Sequence, residues 1–165
     1  MTSAPWSTTS PILTIEAGSS YGANGAPRYI AESSNSTTLK VTTGTWSGSA
    51  TLRYSYQWYA CDAPAFSSDV LADGCVELTG ESASTHTVTE SDMGKYLVGR
   101  VRVTNDQGSS ELYTATSAAV TSSPFATVLP SINDGEAEIG RALTALRGTW
   151  AGLPTPVLTN RWWAC

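Results

Sequence analysis

Apolar and polar residues alternate with a period of two along most of this chain, in short runs broken by turn residues. The clearest run is TLRYSYQWYAC (51–61), which sets Leu52, Tyr54, Tyr56 and Trp58 on one face and Arg53, Ser55, Gln57 and Tyr59 on the other. Aromatic and β-branched residues in that alternation predict a half-buried strand. TTLKVTT (37–43) turns Leu39 and Val41 inward, and KYLVGRVRVTN (95–105) sets Leu97, Gly99, Val101 and Val103 against Val98, Arg100 and Arg102. A short edge strand in VELTG (76–80), a strand in THTVTE (85–90) carrying Val88, and ELYTATSAAV (111–120) complete the set. Gly44 to Gly48 forms a turn around Trp46, and NDQG (105–108) reads as a hairpin turn with a glycine free to take positive φ. No helical period appears. About seven short strands over roughly a hundred residues, with frequent turns, predict an all-β sandwich.

The pattern then repeats. LKVTTGTWSGSATLRYSYQWYAC (39–61) aligns without a gap on LTALRGTWAGLPTPVLTNRWWAC (143–165) at a constant spacing of 104 residues. Nine of the 23 positions are identical, among them Gly44/Gly148, Trp46/Trp150, Trp58/Trp162 and Cys61/Cys165. Chance would give roughly one or two. A period this long is a whole domain rather than a solenoid unit. The expected layout is an N-terminal arm (1–26), a complete sandwich (27–122), a TSSP linker (121–124) and the first half of a second sandwich (123–165), with strands at 143–147 and 156–164. PILTIEA (11–17) is a short apolar run that could form one strand, and the first 26 residues are either an arm that leans on another surface or a disordered terminus.

Charged residues make up 14% of the chain, against about 25% in an ordinary globular protein. Ser, Thr and Gly fill the difference, which suits extracellular or virion-surface β-domains. The net charge is −5, and Tyr54 to Gly94 contains seven acidic residues and no Lys or Arg. A surface of that sign disfavours nucleic acid and anionic lipid. No stretch of about 18 apolar residues exists to span a membrane. The N-terminus lacks the basic and apolar regions of a secretion signal, so either a signal was removed or none was used.

Cys61 ends the aromatic strand, and Cys75 follows after a loop rich in Pro, Ser and Asp. A bridge between them would pin that loop; free thiols or a metal site are the alternative. Cys165 repeats Cys61, and its partner is expected beyond the given residues. His86 is the sole histidine and is read as a surface or strand-edge residue. No phosphate loop, paired-carboxylate cleft or Ser-His-Asp set stands out. No cofactor, metal or catalytic residue is assigned, and an enzyme is not expected. Asn35-Ser36-Thr37 fits a glycosylation acceptor.

GTW-x-G, YQW-x-x-C and a later Asp-x-Gly ahead of L-x-G-x-V-x-V-T-N resemble the bacterial and phage immunoglobulin-like tandem repeats. The resemblance implies a sandwich over 27–122 and a first half over 124–165. It implies tandem modules in large bacterial surface proteins or phage structural proteins. Asp92, Gly94 and Tyr96 are similar to the immunoglobulin tyrosine corner. The antibody-type inter-sheet disulfide is absent, with Val41 and Val98 as candidate occupants of its positions. Strand parity sets Tyr96 against Leu97, and burying Arg100 and Arg102 unpaired would be costly. The expected core is therefore Leu39, Val41, Trp58, Val88, Leu97, Val101 and Val103. Trp46 and Tyr59 are candidates for surface binding, although Trp46 fits packing on the sandwich end as well. The expected role is structural display from a larger assembly, a phage virion in first place, anchored to other subunits through residues 1–26. A bacterial adhesin or surface-layer module, or a carbohydrate-binding module of a secreted enzyme, is the alternative.

Overall fold

The structure is a computed structural model that describes residues 3–16, 26–30, 36–49, 51–64, 68–133, 140 and 142–162. Its strands are β1 (Trp6–Thr9), β2 (Leu13–Ile15), β3 (Arg28–Tyr29), β4 (Thr38–Val41), β5 (Thr45–Ser47), β6 (Arg53–Cys61) and β7 (Cys75–Glu77). They continue as β8 (Thr85–Thr87), β9 (Tyr96–Asn105), β10 (Gly108–Tyr113), β11 (Thr121–Val128), β12 (Ser131–Asn133), β13 (Thr144–Leu146) and β14 (Thr149–Leu153). A 3-10 turn at Glu90–Asp92 interrupts them. The protein is all-β, as the alternation predicts.

A four-stranded sheet of order β10-β9-β6-β7 lies against a three-stranded sheet of order β2-β4-β8. Between them sit Leu39, Val41 and Val88 from one side and Trp58, Leu97, Val101 and Val103 from the other, each 2% exposed or less. Burying Trp58 alone removes ~200 Å² from water, worth about 5 kcal/mol before entropy is charged against it. Its indole Nε1 donates to the Ala83 carbonyl at 2.9 Å, so the ring enters the core with its one polar atom satisfied. Gly99 faces Val41: a Cβ there would lie 2.1 Å from Val41 Cγ2. The glycine is the space that lets the two sheets close over a valine.

Several boundaries differ from the sequence reading. Ser3 to Glu16 is no separate arm. β2 pairs antiparallel with β4 at the edge of the three-stranded sheet, and β1 pairs antiparallel with β5 as a two-stranded sheet of its own. The apolar run PILTIEA, which could form one strand, holds β2; β1, ahead of Pro11, carries no such run. TSSP is no linker either; it opens the eight-residue strand β11. The expected strand at 85–90 stops at Thr87, and the one at 76–80 is Cys75–Glu77. β10 ends at Tyr113, after which Thr114, Ser117 and Val120 still donate backbone hydrogen bonds to Gly99, Leu97 and Lys95. Residues 155–162 form no strand, against the expectation for 156–164.

The repeat extends further than the aligned segment. β1–β5 has the register Trp6↔Ser47, Ser7↔Trp46, Thr9↔Thr45, with a bulge between Ser7 and Thr9. β11–β14 reproduces it as Phe125↔Ala151, Ala126↔Trp150, Val128↔Thr149, bulge included. Leu13↔Val41 and Thr14↔Lys40 likewise recur as Ile132↔Ala145 and Asn133↔Thr144. On this first segment the spacing is 119 residues rather than 104, with Pro11 recurring as Pro130. The excess of the first copy falls between β2 and β4, where β3 lies. β3 crosses to the second copy: it pairs in parallel with β11 through Arg28↔Thr121 and Tyr29↔Ser122, and the Tyr29 ring meets Phe125 edge-on.

Two glycines show why the hairpin is written the same way twice. Gly44 and Gly148 have φ of 72° and 70°. A Cβ would stand 2.2 Å from the Thr9 carbonyl oxygen in one and 2.1 Å from that of Val128 in the other. Both the positive φ and the close backbone approach demand glycine.

Candidate functional site

His86 is the largest departure from expectation at the level of single residues. It lies on β8 opposite Leu39 and is 4% exposed, buried rather than at an edge. Its ring tilts against Trp58 with centroids 5.4 Å apart. Nδ1 donates to Glu81 Oε2 and Nε2 to Asp92 Oδ2, each at 3.0 Å. Asp92 is 1% exposed and also accepts from the Thr89 backbone N–H at 2.8 Å and the Thr89 hydroxyl at 2.9 Å. Burial disfavours the charged imidazole, but the hydrogen bonds to Asp92 and Glu81 and their negative charges outweigh it and raise the His86 pKa. Burial likewise pushes Asp92 up, and the hydrogen bonds from His86 and Thr89 overcome it and hold the pKa down. The shift favours the imidazolium form between the two carboxylates. In that form both ring nitrogens donate, one to Glu81 and one to Asp92. The cluster ties the 3-10 turn to β8 beneath the core tryptophan.

The same turn resolves the question of the corner. Asp92 is its buried anchor, and Gly94 follows with φ of 77°. Tyr96 points to the opposite side, where it packs with Tyr59, Val98 and Tyr113. The resemblance therefore fails at the tyrosine, for the parity reason the strand itself gives. Val98 faces outward with it, so the position opposite Val41 belongs to Gly99 rather than to Val98.

Tyr59 and Trp46, the candidates for surface binding, are 6% and 8% exposed. Neither presents an open ring face. Trp46 joins the central core and donates from Nε1 to the Thr43 carbonyl at 2.7 Å. Tyr59 is covered by Tyr113, with ring centroids 6.0 Å apart, and by the Arg100 guanidinium 6.0 Å from its centroid. Burial, partly offset by Arg100, raises its pKa. Cys61 and Cys75 form a disulfide at paired positions of β6 and β7, which sets aside the free-thiol and metal alternatives for that pair. Cys165 and Asn35 lie outside the described residues. Among the described residues no group of three or more His, Cys, Asp or Glu is placed to hold a metal, and no helix is long and apolar enough to cross a membrane.

A groove able to take a ligand lies in the second copy. Pro130, Ile132, Ala145, Leu146, Trp150, Leu158 and Trp162 line a groove of about 520 Å³. Arg147 and Arg161 are the charged residues among its described lining, with no carboxylate. Trp150 donates from Nε1 to the Arg147 carbonyl at 2.9 Å, the bond Trp46 makes to Thr43. Yet Trp150 is 38% exposed and Trp162, the counterpart of fully buried Trp58, is 56% exposed. Sequence reasoning locates this open face through the repeat alone; nothing in its own residues marks it. Comparison of the chain with known protein families, with curated proteins and with solved structures finds no match.

Proposed function

We propose that the chain is a non-enzymatic structural protein built from immunoglobulin-like modules and displayed on a larger assembly, a phage virion in first place. The sheet order β2-β4-β8 against β10-β9-β6-β7, closed over a central tryptophan, supports the immunoglobulin-like reading. The observation that carries the display reading is the junction. β11 hydrogen-bonds backward to β3 and forward to β14, so the copies follow one another without a free linker. Arg28 Nη2 also donates to Ser123 Oγ across that junction. A chain joined in this way extends as a stiff rod, which is what projection from a surface requires. The disulfide fits oxidising surroundings outside the cell. Its partners are other structural subunits, neither nucleic acid nor lipid.

Burial of Trp46 and Tyr59 removes the aromatic strip on which the carbohydrate-binding alternative rested. A bacterial surface adhesin remains the second reading, favoured by the same rod-like junction. Immunogold labelling with antibodies to the chain separates the two. Gold on purified particles supports the virion role and gold on intact cell envelopes the adhesin. Label confined to the soluble cell contents rejects display altogether.

A further inference from the structure

We propose that the outer face of the four-stranded sheet is a self-complementary surface that pairs with the same face of a second copy of the chain. Positions of β6 and β9 that alternate with the core residues Trp58, Leu97, Val101 and Val103 point outward. The registers Arg53↔Thr104, Ser55↔Arg102 and Gln57↔Arg100 place three arginines on neighbouring rungs of that face. Arg102 donates to Ser109 Oγ at 3.0 Å, and the Arg100 guanidinium lies 3.7 Å from Glu111 Oε2. Among the described outward positions of β6, β9 and β10, Glu111 is the one carboxylate against these three arginines. This end of the face is therefore basic, in a chain whose net charge is −5.

The other end of the face is acidic and stands higher. The connection from Cys61 to Cys75, described at 62–64 and 68–74, is pinned by the disulfide. It crosses the sheet to the edge strand β10, where the Ser68 carbonyl accepts from the Tyr113 N–H at 2.8 Å. Leu71 packs down on the cluster of Tyr59, Val98 and Tyr113, so this strap forms a layer on top of the sheet. Asp69 and Asp73 are exposed on it, Glu77 is exposed on β7, and Lys95 beside them is held by Asp62. The face is thus a step, with a raised carboxylate end and a lower arginine end. A twofold axis through the step sets the strap of each copy over the arginines of the other, and every contact occurs twice. Val70, next to Asp69 and 66% exposed, then meets the aliphatic stems of the facing arginines. The step argues against a polyanion as occupant, because phosphates or sulfates laid along the arginines would run onto the carboxylates of the strap. Exposed ion pairs are individually weak, so the dimer forms at high concentration and is strengthened where copies are tethered close together.

Sedimentation equilibrium of the full chain tests the pairing, with Cys165→Ser throughout to exclude cross-linking through that cysteine. The chain should dimerise reversibly, and its Kd should rise about tenfold or more between ~0.05 M and ~0.5 M salt, as screening of exposed charges requires. Arg102→Gln alone removes one charge from each of two equivalent contacts and should raise Kd about tenfold. Arg53→Glu with Arg102→Glu should abolish dimerisation, and so should Asp69→Lys with Asp73→Lys. An equimolar mixture of those two charge-reversed chains should dimerise again with affinity close to the parent's, because each strap then faces opposite charge. The near-ultraviolet signal of buried Trp58 should persist in every variant, which shows that the first copy folds. A parent chain that stays monomeric at low salt up to about 1 mM overturns the proposal. So does a Kd that Arg102→Gln leaves unchanged, a dimer that survives either charge reversal, or a mixture of folded reversed chains that fails to associate.

Discussion

Trp46 and Trp150 sit on hairpins of the same register, each beside a left-handed glycine and each holding the carbonyl three residues back. One is 8% exposed and the other 38%; for Trp58 and Trp162 the contrast is 0% against 56%. Local sequence therefore sets the hairpin, its bulge and its indole hydrogen bond without help from the rest of the sandwich. Burial and strand formation at 155–162 are a different matter. In the first copy they come with β9, a partner strand far away in sequence. Local chemistry writes the motif; long-range pairing closes it.

The sharpest way to break this comparison is to remove the paired tryptophans. Trp58→Ala should cost the first copy ~3–5 kcal/mol, as expected for deleting a fully buried aromatic ring. Trp162→Ala should cost less than about 0.5 kcal/mol, as expected at an exposed site. Denaturant titration followed by near-ultraviolet circular dichroism measures both, and equal effects would erase the distinction between closed and open faces. Opening the disulfide comes next. Cys61 and Cys75 are 14 residues apart, and reduction should destabilise the first copy by ~3 kcal/mol on the chain-entropy account. Thermal melts with and without reductant give that value.

A finer test lies at the contact between the sheets. Gly99→Ala should cost about 1–3 kcal/mol through overlap with Val41. Adding Val41→Ala, which writes the second copy's residue into the first, should recover much of that loss. Additive losses in the double variant would mean the two positions do not touch. The smallest effect is in pH dependence. The raised pKa of His86 means its contribution is complete below the ordinary value of about 6.5 and is lost as pH rises through the folded pKa. The lowered pKa of Asp92 means its contribution is present above about 3.9 and is lost as pH falls through the folded value. Stability of the first copy should thus be greatest between those limits. His86→Gln should flatten the alkaline side of the profile measured by urea titration.

Much of the closed copy was legible because strand alternation reports burial directly. Leu39, Val41, Trp58, Val88, Leu97, Val101 and Val103 all lie in its core. The charge pattern of Arg100 and Arg102 settled which face of β9 turns inward, and with it the place of Tyr96. What the chain did not show was tertiary in origin. Ser3 to Glu16 looked like an arm because only PILTIEA suggested a strand, and β1 is four residues with too few alternations to register. The assignment of both strands comes from pairing with β4 and β5. His86 looked like an edge residue because Glu81 and Asp92, its partners, are five and six positions away on a turn whose shape no periodicity encodes. Trp46 and Tyr59 looked available because an aromatic residue in a polar setting reads the same whether a neighbouring strand covers it or not.

Amide hydrogen exchange on the intact chain tests the central claim most directly. Amides of Tyr54 to Trp58, paired with β9, should exchange orders of magnitude more slowly than those of 158–162, which align on that segment and form no strand. Comparable protection in both segments would contradict the claim, for it would mean that the strand forms from its own sequence and owes nothing to the one that covers it.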